Sequence, residues 1–104
     1  MKKMLIQGTI GVLMMAAAGA TMAADVEAGK AKAAACAGCH GANFQGMPPT
    51  FPSLVGKDAE YLTAQLKAFK SGERDNAIMK NMVVGLSDQD MVNISAYLSS
   101  LPAE

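Results

Sequence analysis

Apolar side chains recur at helical spacing in two segments of the second half of the chain. In residues 58–71 the apolar positions of DAEYLTAQLKAFKS lie three and four apart, with Asp58 placed as an N-cap and Gly72 placed to end the helix. In residues 87–101 the opening SDQD sets a hydroxyl three residues before a carboxylate, and Pro102 follows the last apolar position. The pattern therefore predicts one helix in each segment.

A further helix is predicted over residues 26–38, which are rich in alanine and lysine. The segments between the predicted helices, residues 41–57 and 72–85, are interpreted as irregular loops. Both are long for so small a chain and both carry apolar side chains, which is typical of loops that have a function. No run alternates apolar and polar residues for long enough to predict a strand, so the fold class is expected to be all-α.

The first 24 residues have the layout of a secretory signal peptide. Two lysines follow the initiator, the next charged residue is Asp25, and the apolar run between them ends in small residues. That run is shorter than the ~20 residues that a membrane-spanning helix needs. We therefore expect cleavage near Ala23/Ala24, a single domain over residues 25–104 and a periplasmic location, with membrane attachment as the alternative if the leader is retained.

Charge and length exclude some functions for the part that follows the leader. It carries seven basic and nine acidic side chains and has no basic tract, so nucleic-acid binding has no electrostatic support. A domain of about 80 residues buries only a small core and usually depends on a disulfide, a metal or a cofactor to stay folded. The chemistry-bearing residues should therefore supply such a group.

Both cysteines and the only histidine of the chain fall within CAGCH, as Cys36, Cys39 and His40. A thioredoxin-type dithiol is disfavoured because no strand–helix–strand pattern surrounds the pair, and a disulfide would close too short a loop to stabilise much. Zinc would lack further cysteine or histidine ligands. Cys-x-x-Cys-His is the attachment pattern of c-type haem, in which two thiols bond to the haem and the histidine binds iron. We therefore predict one covalently bound haem c per chain.

With this motif the chain resembles the small monohaem class I cytochromes c of bacteria over nearly its whole length after the leader. The stretches that carry the resemblance are EAGKAKAAACAGCHG, FPSLVGK, YLTAQLKAFKSGER, NAIMKNMVVGLSDQD and ISAYLSSLP. The resemblance implies the class I cytochrome c fold, with three main helices and long loops wrapped around one haem. It also implies that the first and last helices cross at Gly29 and Tyr97.

The resemblance assigns the axial iron ligands to His40 and Met79, and it implies that the carbonyl of Pro52 accepts a hydrogen bond from His40. Met82, three residues after Met79, is the alternative distal ligand. Of the other methionines after the leader, Met47 is expected to line the haem crevice. Met91 is expected to be an ordinary core residue of the last helix, because methionine is a common gap-filler.

The implied function is that of a one-electron carrier and not of an enzyme, with no small-molecule substrate. Its expected partners are periplasmic or membrane-bound redox proteins: a quinol-oxidising complex, a dehydrogenase, or a terminal oxidase or reductase. The alternative is a haem c subunit of a periplasmic dehydrogenase or oxidase complex. A sensor or peroxidase would require an iron site left open by both loop methionines.

Overall fold

The computed structural model describes residues 23–102 of the chain. In order, its helices are α1 (Val26–Ala33), a 3₁₀ turn (Ala34–Cys36), α2 (Ala37–His40), α3 (Ala59–Ser71), α4 (Ala77–Val83) and α5 (Asp88–Ser99). Within the described range the only extended pairing is one isolated bridge between Met47 and Phe51. The predicted all-α class is confirmed.

Apart from Ala23 and Ala24, the predicted signal peptide lies outside the described residues. Among residues 23–102, no helix is long and apolar enough to cross a membrane.

Local sequence explains where most helices begin and end. The Asp25 carboxylate accepts a hydrogen bond from the Ala28 N–H at the start of α1, and Gly72 adopts the left-handed conformation that ends α3. At the start of α5, Ser87 and Asp90 form a reciprocal capping box. Asp58 occupies the N-cap position of α3, as predicted, but its side chain makes no capping hydrogen bond.

Two helix predictions need correction. The first helical segment does not end at residue 38: it passes through the 3₁₀ turn and continues as α2 to His40. The second loop is not irregular throughout, because Ala77–Val83 forms the helix α4. The Asn76 side chain accepts a hydrogen bond from the Met79 N–H at 3.0 Å, which caps a helix too short to show a clear apolar period.

α1 and α5 pack backbone against backbone at Gly29. A Cβ atom at this position would lie 1.9 Å from the carbonyl oxygen of Asn93, so any larger residue would force the two helices apart. The Asn93 side chain adds to the contact, since its Oδ1 accepts hydrogen bonds from the Asp25 N–H and from Gln89 Nε2, both at 2.9 Å. Tyr97, one turn further along α5, packs edge-on against the ring of Phe44.

The core combines helical residues with residues of the long loop between α2 and α3. Its buried cluster consists of Ala33, Phe44, Val55, Leu62, Ile94 and Leu98. Phe44 and Val55 belong to the loop, and the backbone of this loop is tied together where the Leu54 N–H donates to the Phe44 carbonyl at 2.8 Å. The loop that follows His40 is therefore part of the folded core.

We expect Gly29→Ala to destabilise the protein by roughly 1–3 kcal/mol or more, because the added methyl group overpacks the α1–α5 contact. Gly85→Ala is the matched control: a Cβ there meets no atom within 4 Å, so its effect should stay within about 0.5 kcal/mol. Denaturant unfolding of the two variants measures the difference. Equal stabilities would contradict the close backbone contact at Gly29.

Candidate functional site

The CAGCH motif lies on consecutive helical turns. Cys36 ends the 3₁₀ turn, while Cys39 and His40 belong to α2. Residues three apart in a helix lie on neighbouring parts of one face, so the two thiols are placed to react with a single group. Both cysteines are free; Cys36 is half-buried and Cys39 is exposed. Before haem is attached, burial raises the pKa of the Cys36 thiol.

The imidazole of His40 is 6% exposed and is oriented by the backbone of the following loop. Its Nδ1 lies 2.8 Å from the carbonyl oxygen of Pro52. Because a carbonyl can only accept, Nδ1 carries the hydrogen and Nε2 is left with a free lone pair. The ring of Phe51 packs edge-on against the imidazole, with 6.2 Å between the ring centroids. The histidine is thus held in the tautomer that can bind a metal through Nε2.

The same loop also holds the backbone of His40. The N–H of Gly46 donates to the His40 carbonyl at 2.7 Å, and Met47 and Phe51 exchange two backbone hydrogen bonds of 2.7 and 3.0 Å. Residues 46–52 therefore contact both the main chain and the side chain of the histidine. No local sequence pattern indicates Gly46 or Phe51. Their contacts with His40 depend on how the loop folds back towards the histidine.

Met79 and Met82 lie one helical turn apart on α4, so they occupy neighbouring positions on one face. Met79 is half-buried, whereas Met82 is 44% exposed. Val83, which follows Met79 by four residues, is fully buried and fixes the inward side of the helix. Met79 therefore lies closer than Met82 to the buried side of α4.

Four large apolar side chains are exposed in residues 41–57 and 72–85, the two segments predicted to be loops. They are Met47, Ile78, Met82 and Val84, with exposed fractions of 63%, 62%, 44% and 59%. By contrast, Phe44, Leu62 and Val83 are buried. Apolar surface on the loop that follows His40 and on the α4 segment suits contact with a large flat apolar group such as haem.

A zinc site has no support in the described part of the chain. No group of three or more histidine, cysteine or acidic side chains among residues 23–102 is arranged to hold a metal ion. The two thiols and the imidazole of CAGCH suit a covalently attached haem, whose iron a histidine can bind.

Comparison with known proteins identifies the family. The family model described as "Cytochrome c" matches residues 26–102. Cytochrome c-554(548) of Halomonas halodenitrificans is 43% identical over 81 residues, which cover 75% of this chain and 98% of that protein. The "Thiosulfate dehydrogenase electron acceptor" of Stutzerimonas stutzeri is 47% identical over 72 residues, covering 68% of this chain and 33% of that protein.

The solved structure of reduced recombinant cytochrome c4 from Pseudomonas stutzeri aligns with a TM-score of 0.71 and 39% identity, covering 77% of this chain and 47% of that chain. The chain thus spans nearly all of one relative and less than half of the other two. It belongs to the cytochrome c family. The predicted class I fold and the covalent haem c are confirmed, and the haem serves electron transport. The spacing of Cys36 and Cys39 fits attachment of this haem.

Covalent attachment predicts a simple pattern of haem retention. We expect Cys36→Ala and Cys39→Ala each to keep haem through the remaining thioether, and the double variant to keep none after denaturation and acid–acetone extraction. Haem staining of denaturing gels measures this. Haem that stays bound to the denatured double variant would contradict attachment through these two thiols.

Proposed function

We propose that the protein is a periplasmic one-electron carrier whose haem iron is bound by His40 on one side and Met79 on the other. The hydrogen bond between His40 Nδ1 and the Pro52 carbonyl is the observation on which the proposal rests. It leaves Nε2 as the nitrogen available to iron. The haem, when bound, supplies an iron that takes up and returns one electron.

The Pro52 contact supports a ligand role for His40 in two ways. A hydrogen bond from the second ring nitrogen fixes the orientation of the ring, and it raises the basicity of the ligating nitrogen. The packing of Phe51 against the imidazole limits rotation of the ring further. These contacts hold the histidine in place while the iron changes charge.

The position of Met79 on α4 supports its role as the distal ligand. Met79 is half-buried and lies one helical turn before the buried Val83, whereas Met82 is exposed. The Asn76 cap bonds the Met79 N–H itself, and Lys70 Nζ donates to the Leu86 carbonyl, which fastens the end of the α4 segment to α3. A thioether ligand favours ferrous iron, so His/Met ligation raises the reduction potential.

A filled pair of axial positions leaves no place for a substrate on the iron, which is why we propose a carrier and not an enzyme. Brief contact with a redox partner is enough for this role, since electron-transfer interfaces are small, often below about 1,200 Å². The leader-like first 24 residues support export to the periplasm.

The ligand assignment predicts different spectra for two neighbouring variants. We expect the oxidised Met79→Ala protein to lose the methionine–iron charge-transfer band, because its soft sixth ligand is gone. Met82→Ala is the matched control on the same helix face and should keep the band. Visible absorption spectroscopy decides the question. A band that survives in Met79→Ala and disappears in Met82→Ala would identify Met82 as the distal ligand and contradict the assignment of Met79.

A second candidate function is that of an electron acceptor dedicated to one dehydrogenase, as a carrier or as its haem subunit. The observation that favours it is the 47% identity to a protein named thiosulfate dehydrogenase electron acceptor. We expect the oxidised protein, mixed with a thiosulfate dehydrogenase and thiosulfate, to become reduced with a rate that depends on its concentration.

Stopped-flow absorption measures that reduction, with dithionite as the control that the haem can be reduced at all. A rate no faster than with thiosulfate alone would contradict this second candidate. Gel filtration of a native extract separates the two forms: a free carrier elutes alone, and a permanent subunit elutes with its partner.

A further inference from the structure

We propose that Gly46 is a positioning residue for His40 and that it thereby sets the reduction potential of the haem. The inference rests on the proposed role of His40 as an iron ligand and deepens it. Gly46 does not touch the imidazole itself. It acts through the Pro52 carbonyl, which the imidazole Nδ1 contacts at 2.8 Å.

Gly46 lies where the loop between α2 and α3 folds back on itself, against the backbone of Phe51 and Pro52. A Cβ atom at this position would lie 2.3 Å from the Phe51 carbonyl oxygen and 2.6 Å from both the carbonyl carbon and oxygen of Pro52. These are backbone atoms, which cannot move aside as the end of a flexible side chain can. Gly46 also has a φ of +73°, a conformation that glycine adopts far more readily than other residues.

The backbone of Gly46 connects this close approach to the histidine. Its N–H donates to the His40 carbonyl at 2.7 Å, so Gly46 is fixed relative to the main chain of His40. The missing side chain then lets the Pro52 carbonyl come within hydrogen-bond distance of the imidazole of the same residue. Gly46 therefore sets the distance between the two partners of the Nδ1–H···O=C hydrogen bond.

Displacing the Pro52 carbonyl would weaken this hydrogen bond and make the imidazole a weaker donor to iron. Ferric iron depends more on electron donation from its ligands than ferrous iron does. A weaker donor therefore destabilises the ferric form more than the ferrous form, and the reduction potential should rise. A residue with a purely structural role would change the stability of the fold without this change in potential.

The test compares Gly46→Ala with Gly72→Ala in the haem-loaded protein. Gly72 has a similar φ of +89°, but a Cβ there would meet only the flexible end of Lys80, at 3.7 Å, so it reproduces the backbone strain without a backbone clash. Voltammetry measures the potential, denaturant unfolding the stability, and absorption spectra the ligation of the iron.

We expect Gly46→Ala to shift the redox equilibrium several-fold, up to about tenfold, toward the ferrous form; tenfold equals 59 mV for a one-electron couple. Gly72→Ala should lose stability but keep the wild-type potential. An unchanged potential in a folded, low-spin Gly46→Ala protein would overturn the proposal and leave the carrier function intact. A high-spin wild-type spectrum would instead overturn the proposed function.

A measurement on the wild type tests the proposal even if Gly46→Ala does not fold. Hydrogen exchange followed by NMR in the reduced protein reports on the Gly46 N–H and the His40 Nδ1–H. If Gly46 holds the Pro52 carbonyl in place, the two hydrogens should exchange through the same opening and show similar protection. A His40 Nδ1–H that exchanges many times faster than the Gly46 N–H would contradict the coupling.

Discussion

The hydrogen bond from the His40 imidazole to the Pro52 carbonyl constrains both the path of the following loop and the orientation of the histidine. It requires a loop that leaves the histidine and returns to it within twelve residues, and that loop becomes part of the core through Phe44 and Val55. It also selects the ring tautomer with a free Nε2. One contact thus joins the folding of the loop to the orientation of the histidine that we propose as an iron ligand.

The two proposed iron ligands, His40 and Met79, lie in segments that depend on different kinds of contact. On the His40 side, backbone atoms approach each other closely and glycine is required at Gly46. On the Met79 side, a seven-residue helix is held by an asparagine cap and by the lysine contact to Leu86. We infer that the histidine side is the more rigid of the two, because its contacts are mainly between backbone groups of residues 40–52.

The sequence predicted the parts of this structure that local chemistry controls. The CAGCH motif needs only five residues to indicate haem attachment, and the SDQD opening of α5 carries both halves of its capping box. The helix α4 was missed because seven residues are too few to show a period. The role of Gly46 could not be read from the sequence, since it depends on the return of Phe51 and Pro52 to the same place.

We propose that His40 and Met79 fill both axial positions of the iron, so that the haem passes electrons and does not bind ligands. The most direct test is the absorption spectrum of the ferrous protein before and after addition of carbon monoxide at neutral pH. We expect a low-spin c-type spectrum that carbon monoxide leaves unchanged. A spectrum that shifts to a carbon monoxide complex would show an open iron and contradict this proposal.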